Sequence, residues 1–224
     1  MKKTLIIMGM IFLAHVAFAD KGGGASISFG YQLNDATAAK ETYEAMIPDE
    51  ELSSTNELVL DIHGWGVLNR FLRIGGILSG GYFDAKGEPS EDVMSEDESG
   101  VGFGDARLAV LPEVYATFGP LDLSGGLAVG GGSIITFIND DNGDNDGEMS
   151  FYGFIRPQVS AAYDLGPVGV ELTTGYHMPF AGDEGKFWFI EADGDTVEKT
   201  FEPSEMGGIF FELGVFFGDK GVKE

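Results

Sequence analysis

Along residues 104–118 apolar and polar positions alternate: Ala106, Leu108, Val110, Pro112, Val114, Ala116 and Phe118 share one parity, and Asp105, Arg107, Ala109, Leu111, Glu113, Tyr115 and Thr117 the other. A period of two is the signature of a strand whose two faces meet different surroundings. The pattern recurs over 149–165, where Phe151, Ile155, Val159 and Tyr163 oppose Ser150, Tyr152, Arg156, Gln158 and Ser160. It recurs again over 207–217, where Ile209, Phe211, Leu213, Val215 and Phe217 oppose Phe210, Glu212 and Phe216. Segments at 25–33, 57–68, 71–83, 121–137 and 168–178 bring the total to eight predicted strands. Most exceed the about 5–6 residues usual in soluble sheets and reach the roughly 9–11 that a tilted strand needs to cross a bilayer.

The connections alternate as well. A first loop of some two dozen residues is followed by the turn Asn69-Arg70, the loop 84–103, the turn Gly119-Pro120, the loop 138–148, the turn Gly166-Pro167 and the loop 179–206. An up-and-down membrane barrel with both termini on one side sorts its connections in this way, tight turns on one rim and long loops on the other. The expected fold class is all-β: an antiparallel up-and-down transmembrane β-barrel of eight strands. In the last loop, 187–190 and 196–201 flank Asp193-Gly194, a hairpin signal that predicts an extension of the sheet beyond the membrane, with ten strands as the alternative. Residues 36–46 have a helical pattern and are expected to cap the rim. Two similar hairpins, Pro112 to Leu121 and Pro157 to Val168, place prolines 45 residues apart in mid-strand, where a missing ladder donor predicts a bulge or kink.

Charge decides which face is inside. None of the nine Lys falls in the predicted strands, whereas a soluble exterior carries Lys freely. The polar faces hold Asp61, Arg73, Arg107, Glu113, Arg156, Glu171 and Glu212 among small residues. An eight-stranded barrel has an interior only wide enough for side chains, so these seven are expected to form a buried network, four acids against three Arg. Each guanidinium then needs a carboxylate, because an unpaired buried charge costs several kcal/mol. The competing role for this face is a polar track for a solute, with Gly130-Gly131-Gly132 leaving the path.

Composition adds an address and an exclusion. Met1-Lys2-Lys3, the apolar run Leu5 to Val16 and Ala17-Phe18-Ala19 form an export signal, so 1–19 is expected to be a signal peptide and 20–224 the barrel domain. The chain of 224 residues has a formal charge of −24 and no clustered Lys or Arg, which argues against nucleic-acid partners. With no Cys, neither a lipid anchor on cysteine nor a disulfide framework is available. The four long loops carry 26 acids and four Lys, so nearly all the charge sits on one rim. A solvated rim that sets the orientation of the barrel accounts for this charge; the alternative is that divalent cations are partners there, because an anionic rim beside anionic headgroups repels unless screened. Within 138–148, Asn142, Asp144 and Asp146 match part of a calcium loop, although the twelfth position of that alignment is Gly153 rather than an acid. Calcium is therefore the one cofactor considered.

Catalysis is not expected. Only His63 and His177 follow the signal, both on polar strand faces, and no paired nucleophile accompanies them. His177, with Glu171 and Thr173 on its face, is the better base for a lipid-modifying alternative.

The chain resembles the small eight-stranded outer-membrane barrels, the family that includes the OmpA transmembrane domain, OmpX and OmpW. The resemblance spans the mature chain and rests on the signal, the strand count, the loop asymmetry, aromatic residues near the strand ends (Tyr31, Tyr82, Phe83, Phe118, Phe137, Tyr163, Tyr176) and an aromatic-rich last strand ending at Phe217 before a seven-residue tail. It implies a monomer in the bacterial outer membrane, with lipid and the assembly machinery as partners. The implied role is structural or surface contact with a plugged interior. The alternatives are a narrow pore or transporter for small or apolar solutes and a soluble lipocalin-like periplasmic binder.

Overall fold

The computed structural model describes residues 22–34, 37–46, 56–87, 99–139, 145–146, 149–182, 184–190 and 196–218. The predicted signal lies outside them. Eight long strands form the barrel: β1 (Gly23–Asn34), β2 (Asn56–Asn69), β3 (Leu72–Gly87), β4 (Ser99–Phe118), β5 (Leu121–Asn139), β7 (Met149–Asp164), β8 (Gly169–Gly182) and β11 (Gly208–Gly218). Between them lie a helix α1 (Thr37–Met46), the two-residue β6 (Asn145–Asp146), and the short strands β9 (Gly185–Ile190) and β10 (Thr196–Phe201). Successive barrel strands pair antiparallel, and β11 returns to β1 with Ile27 opposite Val215 and Phe29 opposite Leu213, so the sheet closes.

The barrel has eight strands, not ten. Among the described residues β9 and β10 pair only with each other, so the predicted hairpin forms as a separate two-stranded sheet and not as an extension of the barrel sheet.

Tight turns are made where the local chemistry favours them. Asn69 Oδ1 accepts from the backbone N–H groups of Phe71 and Leu72 at 3.0 and 2.9 Å, which centres the first turn on Arg70-Phe71, one residue later than predicted. Gly119 and Gly166 hold the other two turns at φ 62° and 113°, backbone conformations that side chains strain. Asp164 Oδ1 caps the last of them by accepting from Gly166 N–H at 2.7 Å.

The strand limits differ from expectation mainly at the outer ends. β3 and β4 stay paired as far as Gly87 opposite Ser99, although the apolar alternation has ended. Backbone pairing persists wherever two chains lie alongside, whatever their side chains prefer. The extension brings Lys86 into a strand, and Lys186 and Lys199 fall in β9 and β10, so the prediction that strands lack Lys holds only for the membrane-spanning parts.

The prolines do not mark bulges. Pro112 interrupts the ladder toward β5, between Val110 opposite Val129 and Glu113 opposite Gly126, and Pro157 interrupts it toward β8, between Ile155 and Gln158; the register is unchanged across both gaps. Each remains paired on its other side, with Ile74 and Leu127 respectively. The irregularities fall instead at Val67–Asn69 and Gly153–Phe154.

The barrel strands put their apolar parity outward. Phe29, Leu213 and Val159 are 67%, 66% and 58% exposed, while Arg73, Arg107 and Arg156 on the opposite parity are buried. Along β7 the outward aromatics Phe151 and Tyr163 are separated by twelve residue steps, about 31 Å of height at about 3.4 Å per residue and about 40° of tilt, close to the roughly 30 Å of a hydrocarbon core.

Candidate functional site: the packed lumen and its lipid-facing wall

All seven residues predicted for the interior network lie buried in the lumen. They are organised in three tiers, each built on one guanidinium.

The outer tier centres on Arg107 of β4. Its Nη2 donates to both carboxylate oxygens of Glu57 at 2.8 and 2.9 Å, its Nη1 to Gln32 Oε1 at 2.8 Å, and its Nε to Asp105 and, at 3.2 Å, to the Tyr152 hydroxyl. Tyr152 in turn donates to Asp105 Oδ2 at 3.0 Å. Gln32 Nε2 donates to the carbonyl of Met206 at 2.7 Å, which ties the short 3-10 turn Pro203–Met206 of the last loop into the barrel mouth.

The middle tier holds Arg156 of β7 between Asp61 Oδ2, at 2.7 Å, and Glu212. Its guanidinium lies 3.7 Å from the ring centre of Phe210, a cation–π contact inside the wall. Ser28 donates to the other oxygen of Glu212 at 3.2 Å. Asp61 Oδ1 and Arg156 Nε have no hydrogen-bond partner among the described residues.

In the inner tier, Arg73 of β3 bonds Glu113 Oε2 at 2.7 Å and Asp122 Oδ1 at 3.1 Å. Ser124 and Thr117 donate to the same two carboxylates at 3.3 and 3.0 Å. Below it Trp65, Val67, Tyr115, Ala162 and Phe216 close the turn end of the lumen with hydrocarbon, and Tyr115 donates to the Asn69 carbonyl at 2.7 Å.

The other mouth is closed by α1, as the helical pattern at 36–46 predicted. Its Ala39 and Tyr43 pack into a cluster with Phe83, Phe103, Ile134, Tyr152, Phe154 and Met206. His177 sits fully buried beside the rings of Phe154 and Tyr152, at 4.7 and 6.0 Å, and neither ring nitrogen has a hydrogen-bond partner among the described residues. His63 is on the inner face too, 3.8 Å from Glu113.

The glycines predicted to leave a path are filled by neighbours. A Cβ at Gly132 meets the Tyr152 ring at 2.7–2.8 Å, and one at Gly130 meets Ala109 Cβ at 2.8 Å. Among the described residues, a chamber of about 10 Å³ lies between the middle and inner tiers, bordered by Asp61, His63, Gln158 and Glu171. That is room for about one water.

Three carboxylates were missed in the sequence: Glu57, Asp105 and Asp122, all buried in the lumen. Their signal was available, since each lies on the parity of another interior residue, Asp61, Arg107 and Ser124 respectively. All three fall inside the predicted strands 57–68, 104–118 and 121–137, within one residue of a strand start, but outside the predicted network. They overturn the expected near-balance, because among the described residues the lumen holds seven carboxylates against three guanidiniums. Of the predicted calcium ligands, Asn142 and Asp144 lie outside the described residues, and Asp146 is described only as backbone, paired with Ile138.

A closed antiparallel barrel with hydrocarbon outside and a charged, packed interior is a membrane-spanning β-barrel, the architecture of the small outer-membrane barrels of Gram-negative bacteria. Solved structures similar to this chain include Ail, the attachment invasion locus protein of Yersinia pestis, in complex with the heparin analogue sucrose octasulfate, at 13% identity and TM-score 0.49, covering 88% of this chain and 99% of that one. A major outer membrane protein of Thermus thermophilus has 11% identity and TM-score 0.47 over 88% and 99% of the two chains. CarO2 of Acinetobacter baumannii has 13% identity and TM-score 0.37 over 88% and 98%. No protein-family model and no curated protein matches the chain.

Proposed function

We propose that the protein is an integral outer-membrane barrel with a structural and surface-contact role and a plugged, non-catalytic interior. The observation that carries this reading is the occupancy of the lumen: among the described residues three guanidinium tiers and two hydrophobic closures stand across it, and the chamber between the middle and inner tiers is about 10 Å³. A hydrated ion or a small solute is larger than that space. Passage then needs at least two tiers to break, and each break leaves a charge buried and unpaired, at about 3–5 kcal/mol.

The surface-contact part rests on the outer side. The β3–β4–β5 wall rises past the end of β1, α1 packs against its inner face, and the connections of this rim carry most of the acids of the sequence. Lipid covers the apolar wall, the assembly machinery inserts the barrel, and divalent cations screen the rim. A monomer suffices, because closure of β1 onto β11 pairs every barrel edge. A soluble lipocalin-like binder requires the reverse of what is found, an apolar interior and a polar wall.

Planar-bilayer recording tests the proposal. The refolded protein is expected to insert without discrete conductance steps. Reproducible openings of the wild-type barrel overturn the plug and favour the narrow pore.

A further inference from the structure

We propose that the chamber between the Arg156 and Arg73 tiers binds one dehydrated, sodium-sized cation. Three independent features of the lumen converge there.

The first is charge. Each guanidinium is flanked by two carboxylates, and Glu171 adds a seventh, so the tiers leave an excess of negative charge inside a low-dielectric wall. Burial of that excess is unfavourable unless a cation accompanies it or a carboxylate takes up a proton, and only the cation also supplies a partner charge to the acceptor atoms left over. Of these carboxylates, Asp61, Glu171 and Glu212 border the chamber.

The second is the kind of atom left without a partner. Asp61 Oδ1 and Gln158 Oε1 are both buried with no hydrogen-bond partner among the described residues, both residues border the chamber, and both atoms are acceptors. Gln158 is 93% buried, its relative exposure being 7%. A cation is ligated by acceptors alone and answers both orphans at once. A water answers the orphans but contributes no charge.

The third is size and hardness. About 10 Å³ admits one water-sized sphere, which holds a bare sodium ion and no hydration shell. Besides the His63 imidazole, the remaining polar lining is oxygen, from the hydroxyls of Ser26, Ser28 and Thr173, and oxygen ligands suit hard cations. No three acidic or histidine side chains among the described residues converge into a metal cage, and Glu212 is engaged by Arg156 and Ser28, so the shell is built on Asp61 Oδ1 with the neutral oxygens around it. That donor set suits a monovalent ion better than a divalent one.

The test uses the refolded full barrel in detergent and follows its thermal unfolding by gel mobility, in sodium chloride against N-methyl-D-glucamine chloride of equal ionic strength. Both salts screen the acidic rim alike, but only sodium fits the chamber. The midpoint is expected to be higher in sodium by about 3 °C or more, saturating with concentration as site binding requires. Gln158→Leu is expected to abolish the difference, and Ser26→Ala to reduce it should the first variant not refold. Equal midpoints for the wild type overturn the proposal and leave the chamber to water. A sodium effect that survives both substitutions also overturns it and places the ion on the loops. A silent bilayer is compatible with either result, so the plug and the cation site fail separately.

Discussion

Arg107 and Glu57 stand 50 residues apart in the chain and meet across the lumen, where one guanidinium nitrogen donates to both carboxylate oxygens at 2.8 and 2.9 Å. The same guanidinium also engages Asp105, Gln32 and Tyr152, so four strands are tied at one point: β1, β2, β4 and β7.

Removing that guanidinium is expected to be severe. Arg107→Met leaves Glu57 and Asp105 buried without their cation, a loss of about 3–5 kcal/mol. The triple variant with Glu57→Gln and Asp105→Asn recovers much of it. Urea unfolding in lipid vesicles, followed by gel mobility, measures both.

The wall makes an opposite demand. Leu213 is 66% exposed in the middle of β11, a position that tolerates charge in a soluble protein. In a bilayer Leu213→Arg is expected to destabilise by about 2–4 kcal/mol, and Ile209→Arg near the outer end of the strand by less. Equal, negligible effects at both positions contradict a lipid-facing wall.

Adjacent glycines in β3 are expected to behave differently. A Cβ at Gly81 runs into the carboxylates of Glu57 and Asp105, whereas a Cβ at Gly80 comes no nearer than 3.7 Å to the Asp105 carbonyl. Gly81→Ala should therefore destabilise by about 1–3 kcal/mol through overpacking of the outer tier. Gly80→Ala should be close to neutral. The comparison of their unfolding midpoints checks the inward and outward assignment directly.

His177 carries two buried ring nitrogens without partners among the described residues. Its replacement by Phe, which retains the ring packing against Phe154, is expected to stabilise the barrel by about 1 kcal/mol by removing unsatisfied polar atoms. A catalytic His177 predicts instead that His177→Ala alters the mass of extracted lipid, which mass spectrometry detects.

Much of this fold is written in local pattern. Alternation assigned the faces of 104–118, 149–165 and 207–217, because in an extended chain neighbouring side chains must point oppositely whatever they contact. Turn chemistry at Asn69, Gly119 and Gly166 placed the short connections, and the absence of Lys from the membrane-spanning segments showed which face met lipid. The seven interior charges followed from parity alone.

What the chain could not state locally was partnership and extent. Which carboxylate meets which guanidinium depends on strand stagger and on closure: Arg156 of β7 reaches Asp61 of β2 across the lumen only once β11 has returned to β1. Glu57, Asp105 and Asp122 share the parity of the network, but pattern alone does not say whether a charge at the end of a strand is solvated at the rim or buried in a closed barrel. The glycines of β5 suggested a passage in one dimension, and in three the Tyr152 ring and Ala109 occupy it. Periodicity fixes direction, since it is set by each residue's own backbone, while occupancy of a lumen is set by side chains from strands far apart in the chain.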